Sequence, residues 1–156
     1  MKGRRSGLGF TLIELIIVVV IISVLAAVAI PLVETTIKRD REIQLRRGLR
    51  QLRGAIDDYR NFVEKNKIVI DDERYGLPES LEELVVGIEY RDKKNQLRIK
   101  KFLRRLPKDP MTETIEWGLR SHQDKPDARR WGGENVWDVY SKSEKRGLDG
   151  SYYKDW

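Results

Sequence analysis

The chain has 156 residues, of which 36% are charged and 40% hydrophobic, with a formal charge of +6 and no cysteine. That length suits one domain of ordinary size. The missing cysteine excludes disulfides, thiolate zinc sites and cysteine nucleophiles. The single histidine, His122, would have to carry any Ser-His-Asp arrangement or histidine-based metal site alone.

Charge is unevenly placed along the chain. Residues 1–9 carry Lys2, Arg4 and Arg5, while residues 15–30 carry no charge and only Ser23 as a polar member. Charge returns with Lys38, Arg39, Asp40, Arg41 and Glu42. From Phe10 onward, 28 Lys and Arg face 25 Asp and Glu. Basic and acidic residues read as alternating there, so no segregated block for nucleic acid is expected. Three readings compete for residues 1–33. One is a secretory signal peptide, with Ala27-Val28-Ala29 as a small-x-small cleavage site. Another is a plain transmembrane anchor, and the third is a short leader followed by an assembly helix. Glu14 separates them. A carboxylate at the start of a membrane-length apolar run costs on the order of a few kcal/mol, and such a group marks function and needs a partner. Cleavage between Gly9 and Phe10 would supply one, since the new amino group on Phe10 is a cation able to pair with Glu14 of a neighbouring copy.

The run Gly9-Phe10-Thr11-Leu12-Ile13-Glu14-Leu15 resembles the type III signal of type IV pilins and pseudopilins. The resemblance implies that a prepilin peptidase cuts after Gly9, that the new N-terminal Phe10 is methylated, and that Glu14 serves filament assembly. The basic leader fits a cytoplasmic flank. Thr11 reads equally as a helix-opening residue or a tolerated polar one, and Ser23 as bonding back to its own helix. Pro31 removes an intrahelical hydrogen bond and crowds the carbonyl four residues back. That reads as a kink at the membrane edge, and the resemblance implies a segment before it that loses helical structure on assembly.

Beyond Val33 the pattern is an amphipathic helix. Leu45, Leu49, Leu52, Ile56, Tyr59 and Val63 recur at spacings of four and three, one apolar face. Arg46, Arg47, Arg50, Arg53, Asp57 and Asp58 fall mostly off it. A helix from Phe10 to about Asn66 would span about 85 Å, far more than the ~30 Å bilayer core. Gly48 and Gly54 each cost about 1 kcal/mol there, and read as sites of close approach or bending. Asp71, Asp72, Glu73 and Gly76 mark a loop. Leu77-Pro78-Glu79-Ser80-Leu81-Glu82-Glu83-Leu84 predicts a short helix, with Ser80 and Glu83 as a capping box. Asp92, Lys93, Lys94 and Asn95 suggest a turn or mobile insert within 88–99. Residues 101–106 predict one or two helical turns stopped by Pro107, with Pro110 close behind. Strands are expected over 114–119 and 136–140, joined by the loop 121–133. Another turn follows at 147–150, before the aromatics Tyr152, Tyr153 and Trp156. Trp117, Trp137 and Tyr140 are expected to cover the long helix. The predicted fold class is α+β: one long helix, hydrophobic in its N-terminal half and amphipathic in its C-terminal half, packed on a small antiparallel β-sheet.

Leu106-Pro107-Lys108-Asp109-Pro110, then Trp137-Asp138-Val139-Tyr140-Ser141, Leu148-Asp149-Gly150 and Trp156, resemble the major (G-type) pseudopilin of type II secretion. Residues 86–99 and 120–135 look longer than that family's norm. The resemblance implies a pilin-like organisation: a leader over 1–9, a transmembrane and filament-core helix over 10–33, and a periplasmic head over 34–156. The head includes the amphipathic half of the helix, 34–66, and a C-terminal β region, 112–156. It implies a structural subunit held single-pass in the inner membrane and assembled into a periplasmic filament that drives protein export. The implied partners are further copies of the chain, minor pseudopilins, the prepilin peptidase, the inner-membrane assembly platform with its cytoplasmic ATPase, and the lipid bilayer. It also implies calcium in the C-terminal loop. Asp149 and Asp155 are the carboxylate candidates, although the paired aspartates usual there are missing and Lys142, Lys145, Arg146 and Lys154 intervene. No other cofactor is implied. A type IV or competence pilin shares the N-terminal half but often carries a C-terminal disulfide, and a minor pseudopilin can lack the glutamate. A membrane-tethered enzyme would need a convergent polar site. His122 with Gln123 and Asp124 in a loop, the pair Asp71-Asp72, and the absence of a phosphate-loop motif argue against one.

Overall fold

The computed structural model describes residues 10–125, 128 and 130–156, without the side chains of residues 28–31. The leader over 1–9 therefore lies outside the described residues. The chain divides into two compact units, Met1–Arg39 and Asp40–Trp156, to both of which helix α1 (Leu12–Asn66) contributes.

In the first unit α1 opens on a cap. The Glu14 N–H donates to Thr11 Oγ1 at 3.2 Å and the Leu15 N–H to the Thr11 carbonyl at 3.2 Å. This is the geometry of a threonine N-cap. Ser23 Oγ donates to the Val19 carbonyl at 2.7 Å, the back-bond expected of it. The helix runs through Pro31. Just beyond, the hydroxyls of Thr35 and Thr36 both donate to the Leu32 carbonyl, at 2.9 and 2.8 Å.

The second unit is built on the C-terminal half of α1. Its stripe Leu45, Leu49, Leu52, Ala55, Ile56, Tyr59 and Val63 is buried with Leu77, Leu81, Leu84, Leu103, Trp117, Val136, Val139 and Tyr153. Gly48 earns its place by packing: a Cβ there would stand 3.3 Å from the Trp117 ring, so the glycine admits the indole against the helix. No atom comes within 4 Å of a Cβ at Gly54. Trp137 is exposed instead of covering the helix.

Helix α2 (Leu81–Val86) follows a 3-10 turn, Asp72–Arg74. The capping box predicted for α2 does not form, because Ser80 makes no side-chain cap bond. Glu83 turns elsewhere. It accepts from Arg74 at 2.6 Å, Tyr59 Oη at 2.7 Å and the Glu79 N–H at 2.7 Å.

Residues 88–99, ambiguous in sequence apart from the turn or mobile insert suggested at Asp92, Lys93, Lys94 and Asn95, fold into a hairpin of β1 (Ile88–Arg91) and β2 (Leu97–Lys100) with its turn at those residues and Ile88 opposite Lys100. Asp92 Oδ1 organises its turn by accepting the N–H groups of Lys94 and Gln96. Gly87 has φ +94°, and a Cβ there would lie 2.5 Å from the Lys100 carbonyl oxygen, so only glycine fits. Aromatic contacts tie the hairpin to α1: Phe62 meets Tyr90 at 4.9 Å and Phe102 at 5.8 Å. The helical turns expected over 101–106 are absent. The Leu84 carbonyl captures the N–H groups of both Phe102 and Leu103, at 3.0 and 2.9 Å, and Pro107 bars Leu106 from the helical region.

Strands β3 (Gly118–Arg120) and β4 (Asp138–Tyr140) pair antiparallel, Leu119 opposite Val139. They are shorter than the predicted 114–119 and 136–140. The four strands make two separate two-stranded sheets, not one. The α+β class stands, with a long N-terminal helix and small antiparallel sheets.

Candidate functional site

Two places gather the predicted site residues. The first is the apolar start of α1. From Phe10 to Leu25 every side chain is exposed, so this stretch is not the core of a water-soluble domain, and α1 is long and apolar enough to cross a membrane. Glu14 occupies the first turn, where the free N–H groups and the helix dipole favour a carboxylate. The spacing Thr11-x-x-Glu14 is thus a helix-start signal as well as part of the leader pattern, a local role that reading Glu14 only as an intramembrane charge passes over. Phe10 stands just outside the helix, 80% exposed. Gly9, the other half of the predicted cleavage site, lies outside the described residues.

Residues 4–30 match the family model described as the prokaryotic N-terminal methylation motif. The chain carries that motif. It indicates a type IV pilin-like or pseudopilin-type protein, and with the exposed apolar helix it fits a membrane-anchored one. Gly9, Phe10 and Glu14 all fall inside the matched stretch, as does all of the apolar run over 15–30. No curated protein and no solved structure matches the chain.

The second place is the C-terminal loop. Three α1 side chains at spacings of four and seven hold it. Glu42 Oε1 accepts the Leu148 N–H at 2.8 Å and the Tyr153 hydroxyl at 2.9 Å. Burial and that hydrogen bond push the Tyr153 phenol up to about 12. The Arg46 guanidinium lies 4.1 Å over the Trp156 ring and 3.6 Å from Asp149 Oδ2. Arg53 donates to Asp138 Oδ1 at 2.7 Å, the Val139 carbonyl at 3.1 Å and the Trp156 carbonyl at 2.7 Å. Part of the arginine cluster on this helix is therefore an internal clamp.

Asp149 and Asp155, the calcium candidates, stand in different surroundings. Asp149 Oδ1 already accepts from the Ser151 N–H and hydroxyl, at 3.0 and 2.6 Å. Those bonds, with Arg46 nearby, hold its carboxyl below the usual range. The Arg46 guanidinium beside Oδ2 repels a divalent cation, and calcium wants six to eight oxygens. Asp155 is exposed in the 3-10 turn Tyr153–Asp155. Among the described residues no group of three His, Asp or Glu side chains is placed to hold a metal ion.

The head motifs that resemble the pseudopilin converge physically. Buried Asp109 accepts from Ser141 Oγ at 2.7 Å and the Met111 N–H at 2.8 Å, and Trp117 Nε1 donates to the Pro107 carbonyl at 3.0 Å. This ties the turn at Pro107–Pro110 to the end of β4 as structure. His122 is exposed and stacks on Tyr75 at 4.9 Å.

Proposed function

We propose that this chain is the repeating structural subunit, the major pseudopilin, of a type II secretion pseudopilus. In this reading a prepilin peptidase removes residues 1–9, Phe10 is N-methylated, and the apolar half of α1 holds the subunit in the inner membrane with its head in the periplasm. An assembly platform and its cytoplasmic ATPase add subunits beneath minor pseudopilins at the tip, and the growing filament pushes folded proteins outward. Packing of apolar helices supplies most of the assembly energy, and Glu14 neutralises the Phe10 amine of the next copy. The supporting observation is the apolar helix start, exposed from Phe10 to Leu25, with a carboxylate in its first turn, inside the methylation motif. The close-packed head motifs, Asp109 with Ser141 above all, support the narrower choice. The α1 clamp through Glu42, Arg46 and Arg53 takes the place of calcium in closing the C-terminal loop.

The experiment is electron microscopy of periplasmic and sheared surface fractions from cells that overproduce the chain, with and without a calcium chelator. Short filaments tied to the cell envelope and unchanged by the chelator are expected. Long, freely shed surface fibres would replace secretion with a pilus, and filaments that fall apart on chelation would overturn the metal-free closure.

A further inference from the structure

The expectation that charge alternates fails in one stretch. Between residues 91 and 108 the chain carries nine Lys and Arg and a single acid, Asp92. Asp92 is spent on its own turn and on Arg98. Where this stretch meets α1 it borders an open groove of about 520 Å³, lined by Arg50, Gly54, Asp58, Phe102, Arg104 and Arg105. The side chains of Arg50, Lys101, Arg104 and Arg105 are exposed, and each lacks an ion pair or hydrogen bond among the described residues. Gly54, open to its surroundings, leaves the groove floor bare. These cations outnumber Asp58, the acid in the same lining, so the groove carries net positive charge and attracts an anionic surface.

That surface exists on the same chain. Asp71, Asp72 and Glu73 are consecutive, exposed acids. Only Asp71 uses its carboxylate locally, accepting the Glu73 N–H at 3.1 Å. Gln123 and Asn135 of the β3–β4 loop grip the Glu73 carbonyl at 3.0 and 3.4 Å. That loop leads to Asp138, which Arg53 holds. Among the described residues this acidic turn and the groove cations make no ion pair with each other within one head. Between copies they make a heterologous contact, the kind that propagates into open helical arrays and not closed dimers.

We infer that the groove between α1 and residues 102–105 receives the acidic turn 71–73 of a second copy, as a head-to-head contact of the filament. The inference rests on the filament reading above. It is tested with the full-length chain by charge exchange. Arg104→Glu with Arg105→Glu is expected to lower filament yield about tenfold, and adding Asp72→Lys with Glu73→Lys is expected to restore most of it. The Asp71 cap is untouched in both, and equal melting temperatures for the variants check the fold. In the naturally cysteine-free chain, Asp72→Cys combined with Arg104→Cys is expected to give an oxidation ladder of dimers, trimers and longer species, beyond the dimer that either single variant allows. Wild-type filaments together with indifferent charge variants and no ladder overturn this contact and leave the filament reading standing. A ladder that nuclease abolishes assigns the groove to nucleic acid instead, and absence of filaments from the wild type overturns both readings.

Discussion

Glu14→Ala is expected to leave the chain cleaved and membrane-inserted while filament yield falls by about tenfold or more. The size follows from where the charge would lie. Alone in the bilayer, Glu14 sits in the first helical turn and can reach the interface, so its removal costs the subunit only about 0.3–1 kcal/mol of helix-dipole interaction. It belongs to none of the buried clusters of the second unit, so the head keeps its stability. In the proposed filament, a packed bundle of apolar helices would take the same carboxylate and the Phe10 amine out of water together. Removing one then strands the other, a far larger penalty than either meets in the monomer. Glu14→Asp, which keeps the charge on a shorter stem, should retain part of the yield, and Glu14→Gln little. Quantitative blotting of sheared filaments against total membrane protein reads this directly. Normal yield from Glu14→Ala would contradict it.

Glu83→Ala is expected to destabilise the head by about 2–3 kcal/mol, a fall in melting temperature of roughly 8 °C. The side chains of Glu83 and Arg74 are 23% and 17% exposed. The carboxylate is the shared acceptor for Arg74, Tyr59 and the Glu79 N–H. Alanine leaves a half-buried guanidinium and a buried phenol facing a void. The network also sets a pH dependence. Desolvation pushes the Glu83 carboxyl up, but the hydrogen bonds from Arg74, Tyr59 and Glu79 outweigh it and hold the group below its ordinary 4.5. A depressed acid adds stability that is complete above that ordinary value and is lost as pH falls through the folded-state value. Thermal melts of the full-length chain in detergent should therefore lose stability below pH 4.5, and Glu83→Ala should flatten that limb. An unchanged limb in the variant would mean the stability resides elsewhere.

What could be read in advance follows the range of each signal. The stripe Leu45 to Val63 is legible because a helical period needs no knowledge of what it packs against. The apolar stretch before it is legible because its length and missing charge are local properties. The hairpin over 88–100 also leaves a local trace, Ile88 and Tyr90 against Leu97 and Ile99 across a polar turn, obscured by the many charges between. Residues 101–106 defeat helical reading because a distant carbonyl, that of Leu84, takes the N–H groups of Phe102 and Leu103. Glu83 looks like a cap partner for Ser80, and only the fold reveals that Arg74 and Tyr59 compete for it. For the sites, Phe10 and Glu14 are legible as a pattern. The closure of the C-terminal loop by Glu42, Arg46 and Arg53 is not, because it joins residues about a hundred positions apart.

The intact mass of the chain extracted from membranes of cells containing the peptidase tests the central claim most directly. Loss of residues 1–9 and one added methyl group on Phe10 is the expected result. A chain that keeps its first nine residues, or one that begins at Ile30, would contradict it.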